Sequence, residues 1–190
     1  MPNKQLKEIQ HKLRANASAK VLASHQKFVP GLAKAYGVPM PVLNELAKEY
    51  KAGGFALAEA LWEAGMIEER VLAAKLLGKI AQKDALQALA LVEKFSAEIN
   101  NWMICDAIGM QSLKPLVKKY AKEIFALAVK LNVSENLWQR RLSLVMVEWY
   151  TRDGQFHPAI LKLIAPLEND KEYFVKKAVV WIKRNFEKGR

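Results

Sequence analysis

One cysteine, Cys105, stands among 190 residues. No internal disulfide can form, and a reducing cytoplasm is the natural setting. Because Cys105 lies within an apolar run, it reads as a core residue and not a nucleophile. Histidine is nearly as scarce. None of His11, His25 and His157 has a Cys, Asp or Glu partner at metal-ligand spacing, so no metal site is expected. A phosphate-cradling glycine loop is also missing. Gly53-Gly54 lacks the lysine that such a loop needs and reads as a turn joining two helices. These absences leave no bound cofactor to expect.

Long hydrophobic runs are absent too. Charges break every apolar stretch well short of the roughly 18 residues a membrane span needs. The N-terminal "MPNKQLKEIQHKL" has no continuous apolar core of the kind a secretory signal requires. No stretch alternates β-branched and polar residues as a strand would. No linker rich in Gly, Pro or Ser divides the chain, so residues 1–190 read as a single domain.

Acidic residues are short in supply: 19 Asp and Glu face 30 Lys and Arg, giving a net charge of +11. The surplus sits at both ends. Residues 1–52 carry +6, residues 53–100 carry −2 and residues 101–190 carry +7. Such an excess favours a polyanionic partner, nucleic acid above all.

Helical periodicity fills most of the chain. "ALAEALWEAG" sets Leu57, Leu61 and Trp62 on one face and stops at Gly65. "EERVLAAKLLGKIA" opens on Glu68 and Glu69, which mark a helix start. It spaces Val71, Leu72, Lys75, Leu76 and Lys79 as a helix would. "KPLVKKYAKEIFALAVKL" predicts a helix from Pro115, since proline suits a first turn. "SENLWQRRLSLVMVEWYTRDG" predicts one capped by Ser134 and ending at Gly154. "NDKEYFVKKAVVWIKRNFEKG" predicts one opening at Asn169 or Asp170 and closing at Gly189. Ten or eleven helices joined by short connections imply an all-α array. Trp62, Trp102, Trp138 and Trp181 are 40, 36 and 43 residues apart. Helix-pair repeats of the HEAT and armadillo type run about 40–47 residues and stack into a curved solenoid with a concave face.

Within this pattern "EINNWMICDAIGM", residues 98–110, is unusual. Asp106 is an acid in an apolar helical run, one turn after Trp102, and no Lys, Arg or His lies within four residues of it. A carboxylate beside an indole face is a site for positive charge. Helix capping or a distant arginine is the plainer role for Asp106. Downstream, Trp138 precedes Arg140 and Arg141, and Trp181 lies between Lys177 and Arg184 at helical spacing. Trp flanked by cations on one face suits a nucleic-acid backbone, although each Trp alone also suits core packing.

Together, "YGVPMPVLNELAKEY", "LAEALWEAGMIEERVLAAKLLGKI", "NNWMICDAIG", "LWQRRLSLV" and "FVKKAVVWIKRNF" resemble the AlkD-type DNA alkylation repair proteins, glycosylases built from HEAT-like repeats. The order of the segments is the family's, and they span residues 36–186. The resemblance implies an α-solenoid of antiparallel helix pairs with a basic concave face. It also implies hydrolysis of the N-glycosidic bond of cationic alkylated purines in duplex DNA. Asp106 would stabilise the developing sugar cation, Trp102 and Trp181 would pack on the lesion's sugar and backbone, and Arg141, with Arg140 as fallback, would hold phosphate. The expected partner is alkylated double-stranded DNA, bound by a cytoplasmic, nucleoid-associated monomer. Two other readings are a DNA-binding member with little or no catalysis and a helical adaptor for an acidic protein. Val38-Pro39 and Met103 depart from the polar residues the family often carries there.

Overall fold

The computed structural model describes residues 2–29, 32 and 34–188. Among them are eleven α-helices and no strand. The helices are α1 (Pro2–Ala15), α2 (Ala19–Phe28), α3 (Met40–Glu49), α4 (Gly54–Ala64), α5 (Ile67–Ile80), α6 (Ala85–Ser96), α7 (Trp102–Ala107), α8 (Ala121–Asn132), α9 (Leu137–Val145), α10 (His157–Ile164) and α11 (Tyr173–Lys188).

They form two layers. Helices α3, α5, α7, α9 and α11 pack side by side in order, while α1, α4, α6, α8 and α10 stack behind them. From α4 onward, neighbours in the first layer meet over more of their backbone than neighbours in the second, so the array curves toward the first, the concave layer. α4 and α5, joined by the two residues Gly65 and Met66, pack against each other along their length, as do α8 and α9. Gly65 closes α4 at φ 87°, a left-handed conformation that glycine adopts without a Cβ penalty.

The apolar stripes predicted from periodicity bury between the layers. Leu57, Leu61 and Trp62 of α4 meet Val71, Leu72 and Leu76 of α5 in one continuous core. Trp62 is fully buried and stacks on Phe95 of α6, with ring centroids 4.3 Å apart and planes 5° from parallel. Burying large side chains of this kind contributes about 1.5–3 kcal/mol each. Glu68 and Glu69 do stand in the first turn of α5, and both are buried. Glu68 accepts hydrogen bonds from the backbone N–H groups of Tyr36, Gly37 and Val38. Glu69 accepts from the Tyr36 hydroxyl, Gln10 and the Met66 N–H. The two acids tie the chain entering α3 to the concave layer.

Several helix ends differ from the sequence expectation. Pro115 sits in a 3₁₀ turn, Lys114–Leu116, and α8 begins only at Ala121. Asn136, not Ser134, caps α9, accepting from the Trp138 N–H, while Ser134 Oγ accepts from Asn136 N–H just upstream. α9 ends at Val145, and a separate 3₁₀ turn, Glu148–Arg152, precedes Gly154. α11 begins at Tyr173, after an Asp170 carboxylate that accepts from the Glu172 N–H. The predicted stop at Gly189 lies outside the described residues. At the start of α9 and before α11 a polar side chain satisfies free backbone groups, whereas α8 starts without a side-chain cap.

After α7 the chain widens into a π-helical turn, Ile108–Ser112. Such turns are uncommon and often occur at functional sites. Two glycines allow this one to seat closely. A Cβ on Gly78 of α5 would collide with the Gln111 carbonyl, and one on Gly109 would meet Val145 Cγ1 at 2.6 Å. Gly78→Ala is therefore expected to destabilise the protein by about 1–3 kcal/mol. Thermal unfolding checks this, and an unchanged Tm would show that the π turn can shift without loss.

The tryptophan spacing does not mark a repeat register. Trp62 belongs to the outer layer, and Trp102, Trp138 and Trp181 sit at the first, second and ninth positions of their concave-layer helices. The helices share no tryptophan position.

Candidate functional site

Three concave-layer helices carry the residues that the sequence singled out. α7 is capped by Asn101, whose side chain accepts from the Ile104 N–H. The cap fixes the helix start so that Trp102 and Asp106, one turn apart, share a face. The Trp102 indole N–H donates 2.9 Å to the carbonyl of Phe28, at the end of α2. Ser24, His25, Phe28, Val29, Trp102 and Met103 line a cleft of about 490 Å³ there. Trp102 is thus a pinned wall with part of its ring exposed.

Asp106 has no partner within its own helix, and the distant arginine that the sequence offered as its plainer role is present. Arg141 reaches it from α9. Nε donates to Oδ1 at 3.0 Å, and Nη2 donates to Oδ1 at 2.9 Å and to Oδ2 at 3.0 Å. Arg141 Nη1 donates 2.8 Å to the Phe174 carbonyl in the first turn of α11. The two partners are 35 residues apart in sequence, beyond any local pattern. The Asp106 side chain nevertheless keeps 35% of its surface accessible, against 11% for Arg141. Burial pushes the Asp106 carboxyl above its ordinary value, and the Arg141 charge and hydrogen bonds oppose that push.

These contacts redefine the arginines. Expected to hold phosphate, Arg141 is buried and committed to Asp106 and Phe174, leaving one Nη1 hydrogen without an acceptor among the described residues. Arg140 is no substitute. It pairs with Asp170 at 2.7 Å and donates to the carbonyls of Ser134 and Glu135. Both guanidiniums are anchors, because α9 carries them on a face that packs against α7 and α11.

Trp138 packs on Phe174 at 5.1 Å, reinforcing the α9–α11 contact. On α11, Phe174, Lys177, Trp181 and Arg184 follow one another by three or four residues and so form one stripe. Trp181 is half-buried against the core, and Lys177 and Arg184 are exposed on either side of it. Lys177 Nζ lies 5.3 Å from the Tyr173 ring centroid. α7 and α11 both pack on α9, so Asp106 and Trp181 belong to neighbouring helices around Arg141. Cys105 is fully buried with its thiol against the Trp138 carbonyl, and desolvation pushes its pKa upward, which removes it as a nucleophile.

Both layers carry a positive excess, and it is larger on the concave one. The concave helices α3, α5, α7, α9 and α11 hold eleven Lys/Arg against six acids. The outer helices α1, α4, α6, α8 and α10 hold eight against five. Outer lysines are paired from helix to helix: Lys94 with Glu59 and Glu63, and Lys130 with Glu93.

Sequence reasoning overlooked a second concave feature. Asn44, Lys48, Lys75, Lys79, Gln111, Lys114 and Trp149 line a groove of about 810 Å³ beside the π turn. Only the helical spacing of Lys75 and Lys79 hinted at it. No group of three His, Cys, Asp or Glu placed to hold a metal occurs among the described residues, and none of their helices is long and apolar enough to cross a membrane.

A search of curated proteins returns no match. The family model described as DNA alkylation repair enzyme matches residues 9–188. That span includes α7, α9 and α11 together with both concave features, and the chain belongs to the DNA alkylation repair enzyme family.

Proposed function

We propose that this protein is a DNA glycosylase that hydrolyses the N-glycosidic bond of purines alkylated on a ring nitrogen in duplex DNA. The observation carrying this reading is Asp106: a carboxylate partly open on the concave layer, one turn from Trp102 and locked in place by Arg141. Asp106 Oδ1 accepts two of the Arg141 bonds and Oδ2 only one, so Oδ2 keeps the freer lone pair.

An alkylated purine already carries positive charge. When the C1′–N bond breaks, its electron pair goes to the ring, the base leaves neutral, and the positive charge moves to the deoxyribose. Water then adds at C1′ and loses a proton. The leaving group needs no acid, so one carboxylate suffices where ordinary glycoside hydrolysis uses two. Asp106 stabilises the sugar cation and orients the water, Trp102 and Trp181 supply aromatic faces for sugar and backbone, and Lys177 and Arg184 meet phosphates. The site needs no bound cofactor or metal.

Incubating purified protein with methylated DNA is expected to release free alkylpurine, detected by chromatography. No release above the spontaneous rate would sink the enzymatic reading. The Asp106–Arg141 pair favours a second reading, DNA binding with weak catalysis, because the guanidinium neutralises part of the charge offered to the sugar. Tight duplex binding without release would select it.

A further inference from the structure

The groove beside the π turn holds a cation in an unusual setting. Lys75 is 5% exposed, yet no carboxylate among the described residues pairs with its ammonium. Nζ instead donates 2.7 Å to Asn44 Oδ1 and 2.8 Å to Gln111 Oε1. Burial lowers its pKa, and the neighbouring Lys79 adds to that. A buried charge satisfied only by neutral acceptors is a standing cost to the fold, relieved when an anion arrives. Two exposed lysines flank it: Lys79, one turn along α5, and Lys114, whose Nζ lies 4.7 Å from the Trp149 ring centroid. The one acid in the lining, Glu45, is already bonded to Lys48 at 2.7 Å.

We propose that this groove is a phosphate seat that receives a backbone phosphodiester of DNA, with Lys75 at its floor and Lys79 and Lys114 as its arms. The inference rests on the DNA-binding part of the function proposed above and not on the chemistry at Asp106. Asn44 and Gln111 direct the Lys75 ammonium and occupy two of its three hydrogens, leaving the third for the anion. The groove continues from the Asp106 helix, since Met110 and Gln111 of its wall belong to the π turn that extends α7. A duplex engaged at Asp106 thus passes the lysines on the same layer. An open groove of this size suits a continuous strand better than an enclosed small anion.

The test is binding of undamaged duplex DNA across a salt series. Lys79→Gln combined with Lys114→Gln alters only exposed side chains. It is expected to weaken binding about tenfold and to lower the slope of log affinity against log salt by roughly one unit. Lys75→Gln should act in the same direction, with its fold checked by circular dichroism. Lys94→Gln, on the outer layer, should change neither quantity. Wild-type affinity and slope in the double variant would overturn the seat, as would an equal loss in Lys94→Gln. Competition separates the sources of phosphate. If millimolar inorganic phosphate displaces the duplex from the wild type but not from the double variant, the groove is a free-anion site and the backbone assignment is wrong. Failure of the wild type to bind duplex at all would overturn both this inference and the function above; loss of excision with binding intact would overturn only the latter.

Discussion

Asp106→Asn is expected to reduce excision of alkylpurines about a hundredfold, since electrostatic stabilisation of a developing charge in such a site is worth on the order of 3 kcal/mol. Binding of undamaged duplex should stay close to wild type. Rates are compared well below both melting temperatures, because the substitution also alters the hydrogen bonding of Arg141. The pH dependence has a definite sign. Burial holds the Asp106 pKa above its ordinary value. As pH falls through that raised pKa the carboxylate is protonated and activity disappears. Over the same window the folded chain holds a proton that the unfolded chain does not. Asp106 therefore contributes more to stability as pH falls through the raised pKa, levelling off below the ordinary one. Activity and the wild-type-minus-variant difference in stability move in opposite directions on acidification. Wild-type excision by Asp106→Asn would return Asp106 to a purely structural role.

Arg141→Gln is expected to have the second largest effect. It removes the ion pair to Asp106 and the bond to the Phe174 carbonyl together. Breaking a fully buried pair costs about 3–5 kcal/mol; the partial exposure of Asp106 lowers the expectation to about 2–3 kcal/mol. Arg141 is a positioning residue, acting on the substrate through Asp106. Its loss should therefore raise the Asp106 pKa further and shift the acid limb of the pH–rate profile to higher pH, an effect that simple destabilisation would not produce. Arg141→Lys keeps charge but not the forked geometry and should rescue only part of the activity. If Arg141→Gln instead lowers the salt slope of duplex binding and leaves the pH profile in place, Arg141 is a phosphate ligand after all.

Local physics made much of this legible in the sequence. The 3.6-residue periodicity of Leu57, Leu61 and Trp62, or of Val71, Leu72 and Leu76, reports burial against one neighbouring layer, and these residues are core. The Trp102–Asp106 pairing is an i, i+4 relation inside one helix, so spacing sufficed. Long-range relations were not legible. Arg141 reaches Asp106 because α7 and α9 are neighbours in the concave layer, which no window around either residue contains. The phosphate seat combines Lys75 on α5, Asn44 on α3 and Gln111 on the π turn. In sequence Lys75 is simply a polar residue on a mostly apolar helix. Even tryptophan spacing proved uninformative, because Trp62 faces the outer layer and stacks on Phe95.

Arg141 joins α7, α9 and α11 through a single side chain, since it sits on the second, holds Asp106 of the first and grips the Phe174 carbonyl of the third. Three successive helices of the concave layer are thereby fixed in mutual angle, and the curvature of the cradle at the site is set before any DNA arrives. A rigid cradle transfers the work of fitting to the duplex. Flexible pyrimidine–purine steps and weakened base pairs bend to such a surface at less elastic cost than a stiff A-tract does. If the proposed function holds, duplexes rich in pyrimidine–purine steps are expected to bind more tightly than A-tract duplexes of equal length, and equal affinity would show that the clamp does not select for deformability.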